Sequence, residues 1–246
     1  MTHCRIVKHL DVPKRQIPFL GKPALVTGSS SGLGRELAVL FSQSGHVILS
    51  GRDKDELERT RQLCKDPANT TTICGDLRNS ETLELFASFA DLYKIHYLVC
   101  CAGEYLSGPF GNSTAEQAAS IISSNLTATI SLVRTLYPKL VGNLDGLILH
   151  INSLAGKTFN PDELAYTASK WGARAFFSGL RLDARKYNIR VLEAYPSAMQ
   201  TPLCEGRDNY ARLMGVCQAA KTIYDIATSE PFSLQIEEIH LGRFPA

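Results

Sequence analysis

Short apolar runs alternate along this chain with segments of helical periodicity, and no other feature limits the fold as much. The runs lie at 23–28, 46–51, 70–74, 95–103, 146–153, 189–196 and 236–241. Helical patterns fill 35–45, 53–64, 80–93, 114–136, 161–187 and 213–228. Strands separated by helices call for right-handed βαβ crossovers and a parallel sheet. The apolar runs lack strict polar–apolar alternation, as strands covered on both faces should. The pattern therefore predicts one doubly wound α/β domain over 22–246, with a seven-stranded parallel sheet flanked by helices. Residues 1–21 read as an N-terminal arm, and 198–212 as a variable polar loop.

Charge and cysteine usage narrow the class of function. Charged residues make up 20% of the 246, with a net charge of +2 and no basic stripe, so no nucleic-acid partner is expected. No apolar stretch reaches the ~18 residues of a membrane span, so no membrane partner is expected either. The first residues have no uninterrupted apolar core and do not read as a signal peptide. Seven cysteines are scattered without a C-x-x-C pair or Cys/His spacing. An odd, unpatterned set fits a reducing, cytoplasmic setting and no metal site.

The first strand runs into Thr27-Gly28-Ser29-Ser30-Ser31-Gly32-Leu33-Gly34, which opens directly into a helix. Glycines there allow a tight turn and close approach of the backbone to a pyrophosphate, and the helix N-terminus offers free N–H groups. A glycine motif alone is weak evidence, but its place between strand and helix makes it strong. Asp76, in Gly75-Asp76-Leu77 after the third strand, reads either as an adenine contact or as a helix cap.

Tyr166 and Lys170 are four residues apart and share a helix face. Asn160 reads as the cap of that helix, Pro161 as its first residue and Glu163 as reaching back to the cap, with Tyr166 about one turn inside. A free phenol has a pKa of about 10, and bringing it near 7 takes roughly 4 kcal/mol. A neighbouring ammonium and a cationic nicotinamide ring can supply that. A phenol so tuned is an acid for a carbonyl oxygen or a base for an alcohol. Ser153 ends the fifth strand at the same edge of the sheet, and Asn125 is a polar residue inside an apolar helix.

In these residues the chain resembles the classical short-chain dehydrogenase/reductase family. The order of Thr27-Gly28-x-x-x-Gly32-x-Gly34, Asp76, Ala102-Gly103, Asn125, Ser153 and Tyr166-x-x-x-Lys170 follows the family along 22–241. The resemblance implies a Rossmann fold and hydride transfer between a nicotinamide cofactor and a carbonyl or alcohol. It implies Tyr166 as acid/base, Lys170 as its tuner and a ribose ligand, Ser153 on the carbonyl, and Asn125 holding a water behind Lys170. The cofactor would lie against Gly28, Ser30, Ser31, Gly32, Leu33, Gly34, Arg52, Asp76, Leu77, Ala102, Gly103, Tyr166, Lys170, Pro196 and Thr201. The resemblance also implies a homodimer or homotetramer. The family's Asn-Asn-Ala-Gly stands here as Cys100-Cys101-Ala102-Gly103, and its Pro-Gly as Pro196-Ser197. Two other functions share the scaffold: a catalytically silent nucleotide-binding sensor, and a lyase or epimerase. The intact catalytic set argues against the first. A longer C-terminal substrate domain would favour the second.

Cofactor choice is read at the second strand's end. An acidic residue there would accept from both ribose hydroxyls, but the position is Gly51 and Arg52 follows. A guanidinium suits a 2′-phosphate, so NADP(H) is expected over NAD(H). Asp53 can pair with Arg52 and weaken that preference. In the loop at 198–212, Arg207 reads as a surface charge or as a contact for an anionic substrate.

Overall fold

The structure is a computed structural model and describes residues 21–142, 146–229 and 235–243. The expected arm lies outside these residues, apart from Gly21. The strands are β1 (Ala24–Thr27), β2 (Val47–Gly51), β3 (Thr70–Cys74), β4 (Tyr97–Cys100), β5 (Leu147–Ile151), β6 (Arg190–Pro196) and β7 (Glu238–Leu241). They form one seven-stranded sheet in the order β3-β2-β1-β4-β5-β6-β7. Every pairing is parallel, with Leu25 opposite Ile48 and Leu98, and Ile148 opposite Val191. The predicted doubly wound fold is the observed one.

The helices are α1 (Gly32–Phe41), α2 (Lys54–Leu63), α3 (Ser80–Tyr93), α4 (Ala115–Ile122), α5 (Ala128–Leu140), α6 (Leu164–Ala184) and α7 (Val216–Thr228). Both sheet faces are covered. Leu25, Ile48, Leu98, Ile148 and Val191 point into one apolar cluster with side chains of α3, α5 and α6. Their neighbours Val26, Leu49, Val99, Leu149 and Leu192 point into the other, with α1 and α7. The period-two split of one strand between two cores explains why the runs look continuously apolar.

Local chemistry sets several element ends. Asp53 caps α2, accepting from the N–H groups of Asp55 and Glu56 at 3.0 Å. Thr114 and Gln117 form a reciprocal capping box at the start of α4. Lys94 takes a left-handed conformation, φ 51°, and ends α3.

Two expectations are corrected. The single helix expected at 114–136 is two helices joined by a π-helical turn at Ser123–Thr127, and it runs on to Leu140. The turn buries Asn125, whose amide bonds lie outside the helix. The helix expected from 161 begins properly at Leu164, after a 3₁₀ turn at Pro161–Glu163. Asn160 does cap that turn, accepting from Asp162 N–H at 3.1 Å. Glu163 does not reach back, because its carboxylate accepts from the Tyr105 hydroxyl at 2.5 Å. Tyr166 therefore stands in the first turn of α6.

β1 leads outward to β2 and β3, and the chain then returns to the other side of β1 for β4. At such a reversal the loops leaving the strands' C-terminal ends diverge and open a crevice.

Candidate active site

A cavity of about 710 Å³ occupies that crevice. It is lined by loop residues that follow β1, β2, β3, β4, β5 and β6, and by the first turns of α1 and α6. Every residue expected at the site lines it except Asn125, which lies behind the wall.

The glycine loop forms the floor. Gly28 has φ +68°, and a Cβ there would sit 2.8 Å from the Ala102 backbone. A Cβ on Gly34 would lie 2.1 Å from the Gly28 carbonyl oxygen. Neither position accepts a side chain. The Ser31 N-cap makes no side-chain bond to α1, and no acidic residue stands in that first turn. The positive end of α1 thus faces the cavity uncompensated. Ser124 Oγ, also lining the cavity, is buried without a hydrogen-bond partner among the described residues. A cradle of bare backbone, an open helix N-terminus and an unsatisfied hydroxyl fit a dinucleotide with its pyrophosphate.

At the other end stand Tyr166, Ser153 and Lys170. Ser153 Oγ accepts from Ala155 N–H at 3.2 Å, and Ser153 stands near enough to the Tyr166 phenol to act on its pKa. Lys170 is buried, with Nζ donating to the Ile151 carbonyl at 3.3 Å and lying 5.7 Å from the Tyr166 ring centre. Burial dominates both groups. It pushes the phenol up to about 12, with Ser153 pulling down and Glu163 adding to the rise. It brings the ammonium down to about 8. In the protein alone desolvation by burial is the largest influence on the phenol; the tuning expected at the site also draws on a cationic nicotinamide ring. At neutral pH the phenol is held protonated.

The Asn125 side chain is tied to its protein neighbours. Its Oδ1 accepts from Glu104 N–H at 2.7 Å, and its Nδ2 donates to the Glu104 carbonyl at 2.9 Å and to Ser169 Oγ at 3.1 Å. The amide clamps the loop after β4 onto α6. At the departure Cys100-Cys101, Thr27 supplies the strand ties: its Oγ1 accepts from the N–H groups of Cys101 and Ala102, at 3.1 and 3.3 Å. Burial pushes the Cys101 thiol up to about 12, so it carries no thiolate at neutral pH.

Two clusters were missed in the sequence. Under the Tyr166 end, Asn152 accepts from Ser153 N–H at 2.9 Å and donates to the Lys170 carbonyl at 3.2 Å and to Glu193 Oε1 at 3.1 Å. It links the Ser153 strand to the Lys170 helix. Glu193 is fully buried, between His150 at 3.2 Å and Arg181 at 3.6 Å. His150 stacks on Phe177, and burial brings it down to about 4, so it is neutral. The signal was available: His150 and Glu193 interrupt apolar runs and stand opposite each other in register. The second cluster lies along the cavity wall. Arg207 donates to the Tyr105 hydroxyl and lies 3.7 Å from Glu163, and the Tyr105 ring meets Tyr166 edge-on at 5.0 Å. Arg207 thus stands partly exposed at the cavity wall with Tyr105 and Glu163 as neighbours.

On the side expected for the adenosine, Arg52 and Asp76 both line the cavity, and each has a protein partner. Asp76 accepts from Arg78 rather than capping α3. Asp53 is spent on its helix cap, and Arg52 pairs with Glu104 instead. Thr201 is buried beside Gly32, where an added Cβ would stand 3.2 Å from its side chain.

Comparison with known proteins follows the same lines. The family described as short chain dehydrogenase matches residues 22–210. A dehydrogenase/reductase SDR family protein 7-like from Drosophila melanogaster is 31% identical over 77% of this chain, which spans 60% of that relative's length. A 3-oxoacyl-[acyl-carrier-protein] reductase from Rickettsia felis is 31% identical, covering 77% of each chain. An alcohol dehydrogenase from Thermococcus sibiricus, solved in complex with 5-hydroxy-NADP, has the same fold, with a TM-score of 0.81 at 21% identity over 89% of this chain and 95% of that one. With its glycine cradle, its Tyr166–Lys170 helix and this match over most of its length, the chain belongs to the short-chain dehydrogenase family.

Proposed function

We propose that this protein is an oxidoreductase that transfers a hydride between NADP(H) and a small carbonyl or secondary alcohol, with Tyr166 as general acid/base. The observation that carries the reading is one cavity lined by both the glycine cradle and the Tyr166–Ser153–Lys170 group. The nicotinamide nucleotide supplies or accepts the hydride. Ser153 and Tyr166 hold the substrate oxygen between two hydroxyls. A protonated phenol suits proton donation to that oxygen in the reductive direction. Lys170 keeps a positive charge near the phenol at pH values below about 8. Asn152 and Asn125 keep these elements in register through the bonds described above. NADPH oxidation against a panel of ketones and aldehydes tests the reading. Nucleotide binding without turnover of any panel member would favour a silent sensor. A cytoplasmic setting is part of this proposal and rests on the cysteine pattern.

The preference for NADP(H) rests on Gly51 and Arg52. Gly51 offers no acceptor for ribose hydroxyls, and Arg52 lines the cavity with 61% of its side chain exposed. A charge-assisted contact is worth roughly 1.5–3 kcal/mol, or about 10- to 150-fold. Arg52→Ala should erase most of the preference, read as the ratio of kcat/KM for the two cofactors. A wild-type ratio near one, or favouring NAD(H), overturns the assignment.

Self-association belongs to the same proposal. Leu164 and Leu182 on α6 are 46% and 65% exposed, and Phe159, 79% exposed, stacks on Trp171 of that helix. Apolar surface of this kind fits a two-fold interface. Light scattering at micromolar concentration should give a dimer or tetramer. A single 27.0 kDa species contradicts it.

A further inference from the structure

We infer that Glu104 sets how strongly this chain distinguishes phosphorylated from unphosphorylated nucleotides, by holding Arg52 in an ion pair that a 2′-phosphate must displace. The inference rests on the NADP(H) reading and deepens it. Arg52 directly follows β2, and Glu104 lies in the loop after β4. In the sheet these strands flank β1 on opposite sides. The Arg52–Glu104 ion pair therefore crosses the crevice above the end of β1, where the glycine loop begins, and both residues line the same cavity.

The two ends of the pair are not equivalent. Arg52 is 61% exposed, whereas Glu104 is 27% exposed. The Glu104 backbone is fixed through both its N–H and its carbonyl by the buried Asn125 amide. The carboxylate thus projects from an anchored backbone and is the less exposed end, while the guanidinium is the more exposed partner. Asp53, the nearer acid in sequence, is engaged by the N–H groups of Asp55 and Glu56. Its place as competitor for Arg52 falls to Glu104, a residue 52 positions away.

The charge count points the same way. The arginines along this edge each face a carboxylate: Arg52 with Glu104, Arg78 with Asp76, and Arg35 with Glu56. A phosphate dianion arriving here meets a neutralised rim. It gains its charge-assisted bonds to Arg52 only by replacing those of Glu104, and it then lies beside the freed carboxylate. A nucleotide with a free 2′-hydroxyl does not need the guanidinium and leaves the pair intact. Glu104 consequently acts against the phosphorylated ligand alone.

The test is calorimetric titration with adenosine 2′,5′-diphosphate and adenosine 5′-diphosphate. It uses wild type, Glu104→Gln, Arg52→Ala and the double variant. Glutamine keeps the backbone bonds to Asn125 and removes the charge. Glu104→Gln should tighten the 2′,5′-diphosphate about three- to tenfold and leave the 5′-diphosphate within about twofold. In the Arg52→Ala background the same change should have no such effect. An equal shift for both probes, or a tightening that persists without Arg52, overturns the inference. Equal wild-type affinities for the two probes, with a gap opened by Glu104→Gln, would overturn the NADP(H) preference while upholding Glu104. Equal affinities in all four proteins would overturn both.

Discussion

Tyr166→Phe should lower turnover by about 10²- to 10⁴-fold while nucleotide affinity stays within about twofold. The substitution removes one oxygen and keeps the ring, which is buried and packed edge-on against Tyr105. The fold should therefore be unaffected. What disappears is the proton that the proposed mechanism assigns to Tyr166, and one of the two hydroxyls proposed to hold the substrate oxygen. The loss should fall on kcat, since an interaction made at the moment of proton transfer is being removed. Single-turnover rates together with nucleotide titration separate the two effects. Activity within threefold of wild type would remove Tyr166 from the mechanism.

Lys170→Ala should weaken nucleotide binding and slow turnover together, because one ammonium lines the cavity near both the phenol and the cofactor cradle. Unchanged nucleotide affinity would contradict the shared role. Stability should move in the opposite direction in Lys170→Met. The ammonium is brought from 10.5 down to about 8 by burial, so its charged form costs on the order of 3 kcal/mol in the folded state. That cost is fully present below pH 8 and is lifted as pH rises from about 8 to 10.5, where the unfolded chain holds more protons. Methionine fills similar volume without a charge, although it forfeits the bond to the Ile151 carbonyl. Melting curves should show the methionine variant more stable than wild type at pH 7, with the gap closing toward pH 10.5. Equal stability at pH 7 would mean that the bond to Ile151 offsets the burial of the charge.

The sheet was legible because seven apolar runs survive being split between two cores. Leu25 and Val26 point opposite ways, yet both are fully buried, so the period of two leaves no mark on composition. The glycine loop and the Tyr166–Lys170 spacing were legible because backbone conformation and helix geometry require particular residues at particular intervals. The π-helical turn was not. Nothing in Ser123-Ser124-Asn125 states that the asparagine amide will satisfy a loop that follows a different strand. Ion-pair choice was equally hidden. Asp53 was the near candidate for Arg52, and it lost to a helix cap whose donors are two and three residues away. The rise in the phenol's pKa in the protein alone was not legible either, because the sequence displays the neighbouring charge but not the solvent that folding removes.

The sheet order has a further bearing on how the molecule holds together. The glycine loop, Arg52 and Asp76 belong to the segment that builds β1 to β3, while Ser153, Tyr166, Lys170 and Thr201 belong to the segment that builds β4 to β7. The two segments meet along the β1–β4 pairing, under the cavity. A molecule that touches both sides binds only while the seam is closed. Its binding free energy then adds to the cohesion of the two halves, by RT ln(1 + [L]/Kd), against any excursion that parts them. Excursions confined to one outer edge, such as the fraying of β7, leave the seam intact and gain nothing from occupancy. In this fold the ligand is also a rivet.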